Sequence, residues 1–136
     1  MRRFEKYSIG TGDRFAHQGD AQLRAVTLAA EQGVDVAIVW NKSNREHNLI
    51  GTEPSSVRQE AEAAVAALGW KGGYFVDADH IGVATVDRFV DASDFFTLDV
   101  ADFTGKKAPE ADLEAFVKAH ERFLGERAIP GIEKPL

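Results

Sequence analysis

The chain has 136 residues, 44% of them hydrophobic, and carries 16 Lys and Arg against 22 Asp and Glu for a formal charge of −6. That length makes one domain or a piece of a larger one, with enough apolar content for a core, which argues against disorder. Acidity without a Lys/Arg cluster argues against non-specific nucleic-acid binding and against docking on an anionic membrane surface, and the lack of cysteine removes disulfides, thiolate metal sites and cysteine nucleophiles.

The start, Met1-Arg2-Arg3-Phe4-Glu5-Lys6, is charged and lacks the apolar stretch of a signal peptide. No later run reaches the roughly 20 apolar residues of a membrane span, so a soluble cytoplasmic protein is expected. The first strand is Tyr7-Ser8-Ile9-Gly10, running into the polar turn Thr11-Gly12-Asp13-Arg14. A helix is predicted from Asp20, as N-cap, to Gln32, with Leu23, Val26 and Ala30 on one face and Gly33 as its stop. The second strand, Val36-Ala37-Ile38-Val39-Trp40, is a continuous apolar run and therefore buried on both faces. A polar connection from Asn41 to Glu53 follows. Pro54 suits the first turn of a helix over 55–68, which has Val57, Ala61, Val65 and Leu68 at helical spacing and Gly69 at its end. Then come a strand over Tyr74-Phe75-Val76-Asp77, a short helix from Val86 to Asp91 with Val86, Phe89 and Val90 inward, and a strand over Phe95-Phe96-Thr97-Leu98-Asp99. The last helix starts near Pro109, places Leu113, Phe116, Val117, Phe123 and Leu124 on one side, and is capped by Gly125. An extended tail runs from Ile129 to Leu136.

Four alternating strand–helix units imply an α/β fold with a parallel sheet and right-handed crossovers. The strand ends at Gly10, Trp40, Asp77 and Asp99 lie 30, 37 and 22 residues apart. That spacing suits an open doubly wound sheet or part of a (β/α)8 barrel, which needs about 250 residues in full. Polar residues favour the barrel. They cluster at every strand end and almost never at a strand start, whereas an open sheet gathers its ligand at one switch point. The prediction is a sheet in order 1-2-3-4 with helices on the outer face only. Residues 1–136 would be one domain, the N-terminal part of a larger barrel. Its open edges would be covered by the remainder of the barrel or a second copy of the chain.

Asp77-Ala78-Asp79-His80 closes an apolar strand and puts carboxylates beside an imidazole, donors suited to Zn²⁺, Mn²⁺ or Ni²⁺. Asp79 and His80 are the candidate ligands; the plainer alternative is a loop cap and a surface histidine. Asn41-Lys42-Ser43-Asn44-Arg45-Glu46-His47 is the densest run of chemistry and suits a polyhydroxylated anion, with Arg45 as a bidentate clamp for a carboxylate. Asn44, His47, Arg14 and Asp13 are the further substrate contacts expected at the barrel mouth. Asp77, Asp99 and Lys42 are the candidate catalytic groups. Gly10-Thr11-Gly12-Asp13 lacks the Lys-Ser/Thr of a P-loop and the third glycine of a dinucleotide fingerprint, so nucleotide binding is not expected.

Four strings, Gly12-Asp13-Arg14-Phe15, Trp40 to His47, Phe75 to Ile81 and Ser93 to Asp102, resemble the tagaturonate epimerase family. The resemblance runs from about Tyr7 to about Pro130 and implies only the N-terminal portion of a larger enzyme. It also implies a metal-dependent enzyme of hexuronate catabolism that interconverts D-tagaturonate and D-fructuronate, with a small ketouronate as partner and a divalent metal ion as cofactor. The inverted carbon of that pair lies β to the ketone, beyond the reach of simple enolisation. Retro-aldol cleavage, rotation of the aldehyde and re-addition would invert it, given a base for the hydroxyl proton and an acid to return one. Transient oxidation with NAD ranks second, for want of a dinucleotide fingerprint. Another metal-dependent sugar isomerase or aldolase, or a flavodoxin-like binding module, are the alternatives.

Overall fold

The computed structural model describes residues 4–128 and 130–133; Ile129 and Leu136, the ends of the extended tail read from the sequence, lie outside them. Internal contacts divide the chain into two compact units, Met1–Val100 and Ala101–Leu136. The first unit carries four strands, β1 (Ser8–Gly12), β2 (Ala37–Ser43), β3 (Tyr74–Ile81) and β4 (Phe95–Leu98). All neighbours are parallel and the order is β1-β2-β3-β4. Helices α1 (Gly19–Glu31), α2 (Asn44–Ile50) and α3 (Ser55–Leu68) connect them, with a 3-10 turn over Val86–Arg88 between β3 and β4.

Side chains alternate across a strand, and the alternation here sorts the sheet cleanly. Ile38 and Trp40 of β2 and Val76 of β3 pack with Leu23 and Val26 of α1 and Val57, Ala61 and Ala64 of α3. Burying a side chain such as Leu23 or Ile38, both 0% exposed, stabilises the fold by about 1.5–3 kcal/mol. Ala37, Val39 and Phe75 face the other way. Phe95 packs against them there, and Phe4 stacks on Phe75 at 4.2 Å and lies edge-on to Phe95 at 5.0 Å. Both long helices thus lie on one face. Sequential parallel order with helices on a single face is the arrangement of part of a (β/α)8 barrel. A flavodoxin-like sheet would order its strands 2-1-3-4 and carry helices on both faces, so that alternative is set aside.

Several elements differ from expectation for local reasons. The connection after Trp40 is not irregular. β2 runs on to Ser43 and α2 starts at once, because Ser43 and Glu46 form a reciprocal capping box. Gly51 ends α2 in the left-handed conformation at φ 68°. Helix α1 is not capped by Asp20, which is inside it. Instead Glu60 of α3 accepts the Gly19 N–H at 2.7 Å, and Asp13 accepts the N–H groups of His17 and Gln18. Ala30 and Val90, expected inward, are exposed, while Phe89 is buried against Ala78 and Ile81.

The second unit contains α4 (Glu110–Ala119) and a 3-10 turn over Glu121–Phe123. Leu113, Phe116, Phe123 and Leu124 are exposed, so the apolar side read from the sequence is present but unburied.

Candidate functional site

The C-terminal ends of β2, β3 and β4 surround a cavity of about 360 Å³ lined by Ser43, Arg45, Glu46, Asp79, His80 and Asp99. Each strand end contributes for its own reason. After β2 the capping box fixes the first turn of α2: Ser43 N and Oγ both donate to Glu46 Oε2, at 3.0 and 2.8 Å, and Glu46 N donates to Ser43 Oγ at 3.3 Å. Those bonds, with Arg14 and Lys42 nearby, outweigh desolvation and hold the Glu46 carboxyl below its ordinary value. Arg45, the next residue round the helix, is exposed and lines the cavity. Arg14 reaches the same corner, its Nε 3.8 Å from Glu46 Oε1.

Strand β3 breaks its regular pairing between Ala78 and Ile81. There His80 adopts a left-handed backbone at φ 50°, uncommon for a residue with a side chain and a conformation that gathers at functional sites. The break turns the imidazole out of the strand alternation and lays its Nδ1 against Asp79 Oδ1 at 2.7 Å. This hydrogen bond and the Asp79 charge raise the His80 pKa. Nε2 is left as the donor for a ligand, in the carboxylate–histidine pattern that orients metal-bound imidazoles. Asp77, two residues before Asp79 on the inner face, is buried and is not among the residues lining the cavity; it accepts from Thr97 N at 3.1 Å and Thr97 Oγ1 at 2.7 Å. Burial and the neighbouring Asp79 carboxylate push its pKa above the ordinary value, against the pull of Thr97.

Other expected contacts stand apart from the cavity lining. Asp13 is engaged by the turn before α1, accepting from Phe15, His17 and Gln18 backbone N–H groups at 3.0, 2.6 and 2.9 Å. Desolvation pushes its pKa up, but these three donors prevail and hold it low. Asn44 Oδ1 accepts from Arg88. His47 is 1% exposed, edge-on to Phe89 and bonded through Nδ1 to Thr52 Oγ1 at 2.9 Å, and its Nε2 has no hydrogen-bond partner. Burial, with the Lys42 and Arg88 charges, lowers its pKa to about 4. Lys42 is also 1% exposed, on the helix side of the sheet by alternation from Trp40, and its Nζ has no hydrogen-bond partner. Desolvation lowers its pKa in spite of Asp13, Glu60 and Glu46.

Among the described residues no group of three or more His, Asp or Glu side chains is close enough to hold a metal ion. Asp79 Oδ2 and His80 Nε2 fit a divalent cation in chemistry but make two donors where such sites use four or more. Sequence reasoning missed Thr97, the Ser43–Glu46 box and Arg88. The box was legible as Ser-x-x-Glu before a helix; nothing local marked Thr97 or Arg88.

Parallel order, one-sided helices and a polar cavity at the C-terminal strand ends define part of a βα-barrel, with that cavity at the barrel mouth. Comparison with known families narrows that class, since the tagaturonate epimerase family, UxaE, matches residues 1–128. The chain belongs to that family. Among solved structures it is similar to the fructuronate-tagaturonate epimerase UxaE from Cohnella laeviribosi, crystallised with two glycerols, at 25% identity and a TM-score of 0.65. The match covers 87% of this chain and 25% of that one, so the chain spans about a quarter of that protein. A search of curated proteins finds no match.

Proposed function

We propose that this chain supplies part of the active site of an epimerase that interconverts D-tagaturonate and D-fructuronate. The observation that carries the reading is the family match over residues 1–128. The cavity supports it chemically. A ketouronate bears one carboxylate and several hydroxyls, and Arg45 brings a guanidinium to a mouth lined also by Ser43, Glu46, Asp79, His80 and Asp99, with Arg14 beside Glu46.

Arg45 holds the substrate carboxylate in a bidentate fork, with Arg14 beside it. Inversion at the carbon β to the ketone proceeds by breaking and remaking its bond to the α carbon. The hydroxyl on the β carbon gives up a proton as that bond breaks, and the aldehyde oxygen takes one back as it re-forms. Asp77 is suited to carry this proton, because burial brings a carboxyl nearer the pH at which it can both accept and donate. Asp99, on the cavity wall, is the second candidate. Lys42, buried on the helix side, acts electrostatically through Glu46. A divalent cation held by His80 and Asp79 would supply Lewis-acid stabilisation of negative charge on the ketone side.

The test is Arg45→Ala in the whole enzyme, assayed on the uronate and on the corresponding uncharged hexulose. We expect kcat/KM for the uronate to fall by about ten- to hundredfold more than for the hexulose. Equal losses would leave Arg45 structural and put the carboxylate elsewhere.

A further inference from the structure

The arm that carries Arg45 is held by a residue outside the cavity. Arg88 ends the 3-10 turn after β3, eight residues beyond His80. Its guanidinium spends all five N–H donors on the arm after β2. Nε donates to Glu53 Oε2 at 2.9 Å. Nη1 donates to Asn44 Oδ1 at 2.9 Å and to Asn48 Oδ1 at 2.7 Å. Nη2 donates to the Thr52 carbonyl at 2.8 Å and to Glu53 Oε1 at 3.1 Å. Two of these partners lie on α2, one turn apart, and the others on the loop that follows it. Next to Arg88, Phe89 lies edge-on to His47, the buried residue of α2.

We propose that Arg88 is a positioning residue for the active site. It ties the segment after β2, which carries Arg45 and Glu46, to the turn that follows β3, the strand whose end carries Asp79 and His80, and so sets the clamp for the substrate carboxylate against the reacting end. This rests on the carboxylate reading of Arg45 given above. Helix α2 has only seven residues, too few to hold its place by intrinsic propensity. A planar fork that satisfies side chains at positions i and i+4 together with the following backbone fixes both the rotation and the tilt of such a helix. Lysine would keep the charge but offers three donors on a flexible stem and cannot reproduce the fork.

The experiment is Arg88→Lys in the whole enzyme, alone and combined with Arg45→Ala. Alone, it should raise KM for the uronate by about tenfold, lower kcat less, and leave KM for the uncharged hexulose within about twofold. With Arg45→Ala already present, Arg88→Lys should add less than about a further twofold, because the two changes remove one interaction. With Arg45→Ala itself selective against the uronate, multiplying effects or equal losses on uronate and hexulose in Arg88→Lys would mean that Arg88 serves stability alone, and the proposal falls. Amide hydrogen exchange gives a readout that does not depend on the role of Arg45. In Arg88→Lys, exchange over 44–50 should speed up while 57–68 of α3 stays protected. Unchanged exchange over 44–50 overturns the anchor even if the carboxylate reading holds, and faster exchange there with no selective effect of Arg45→Ala overturns only the carboxylate reading. Asn48→Ala, which removes one exposed partner from α2, should shift KM and exchange in the same direction by a smaller amount; no shift in either would count equally against the proposal.

Discussion

His47 is the residue at which burial has the plainest consequence for pH. An unfolded imidazole titrates near 6.5, and in the fold this one titrates at about 4 because it is buried beside the Lys42 and Arg88 charges. Below 6.5 the unfolded chain takes up a proton that the folded chain refuses. The contribution to stability is therefore fully present above pH 6.5 and is lost as the pH falls through that window toward 4, by roughly 3 kcal/mol at most. His47→Asn, which keeps a polar atom near Thr52, should flatten this part of the profile. Chemical denaturation at pH 5 and pH 7 measures it: the difference between the two stabilities should shrink in the variant, and an unchanged difference would place the titration on another group. Lys42 shows how far burial departs from what residue type suggests. As the only charged side chain in a buried stretch of β2, its ammonium lies where desolvation works against it.

Between elements, single carboxylates do much of the fastening. Asp94 stands just before β4 and joins three pieces of chain: its Oδ2 accepts from Arg58 Nη2 of α3 at 2.7 Å and from Val76 N of β3 at 2.8 Å. Arg58 Nε donates in turn to the Ala92 carbonyl at 3.1 Å. Asp94→Ala would leave a mostly buried guanidinium and a strand N–H without their acceptor and should cost about 2–4 kcal/mol, read as a lower Tm. A loss under about 0.5 kcal/mol would mean that water replaces the carboxylate. Contacts of this kind explain which parts of the fold were legible. Helix α3 is bounded by Pro54 and Gly69 and has a regular apolar stripe, all local signals. The start of α1 was misread because its caps come from Asp13 and from Glu60, 41 residues away from Gly19. Helix α2 was passed over because its polar residues read as a loop, although Ser43 and Glu46 announce it. That Asp79, His80, Arg45 and Asp99 would meet at one cavity was legible because barrels gather polar residues at strand ends. His47 and Lys42, in the same polar run, could not be told apart from them without knowing which face they occupy.

For the molecule as a whole, the described residues make a sheet with two outer strands, β1 and β4, and an inner face on which Phe4, Phe75 and Phe95 meet. No helix among them is long and apolar enough to cross a membrane. The Asp79–His80 pair brings two donors to a task that needs about four, so the divalent-cation site proposed above would need further ligands than these residues supply. Equilibrium dialysis against Zn²⁺, Mn²⁺ or Ni²⁺ should show weak uptake by this 136-residue chain, stronger uptake by the whole enzyme, and loss of the latter in His80→Ala. Equal uptake by the whole enzyme with and without His80 would remove it from the ligand set. The alternation along β3 has a consequence for how such a protein changes over time. Phe75, Asp77 and Asp79 look to one side of the strand while Val76 and Ala78 look to the other, into the packed helices or the Phe89 cluster. A substitution at 79 can therefore change a group on the cavity wall without disturbing the joint between sheet and helices. A substitution at 76 or 78 alters that joint while leaving the cavity wall in place. Neighbouring codons of one strand thus answer to two separate selective pressures, and new chemistry can be tried on this scaffold in single steps without first rebuilding it.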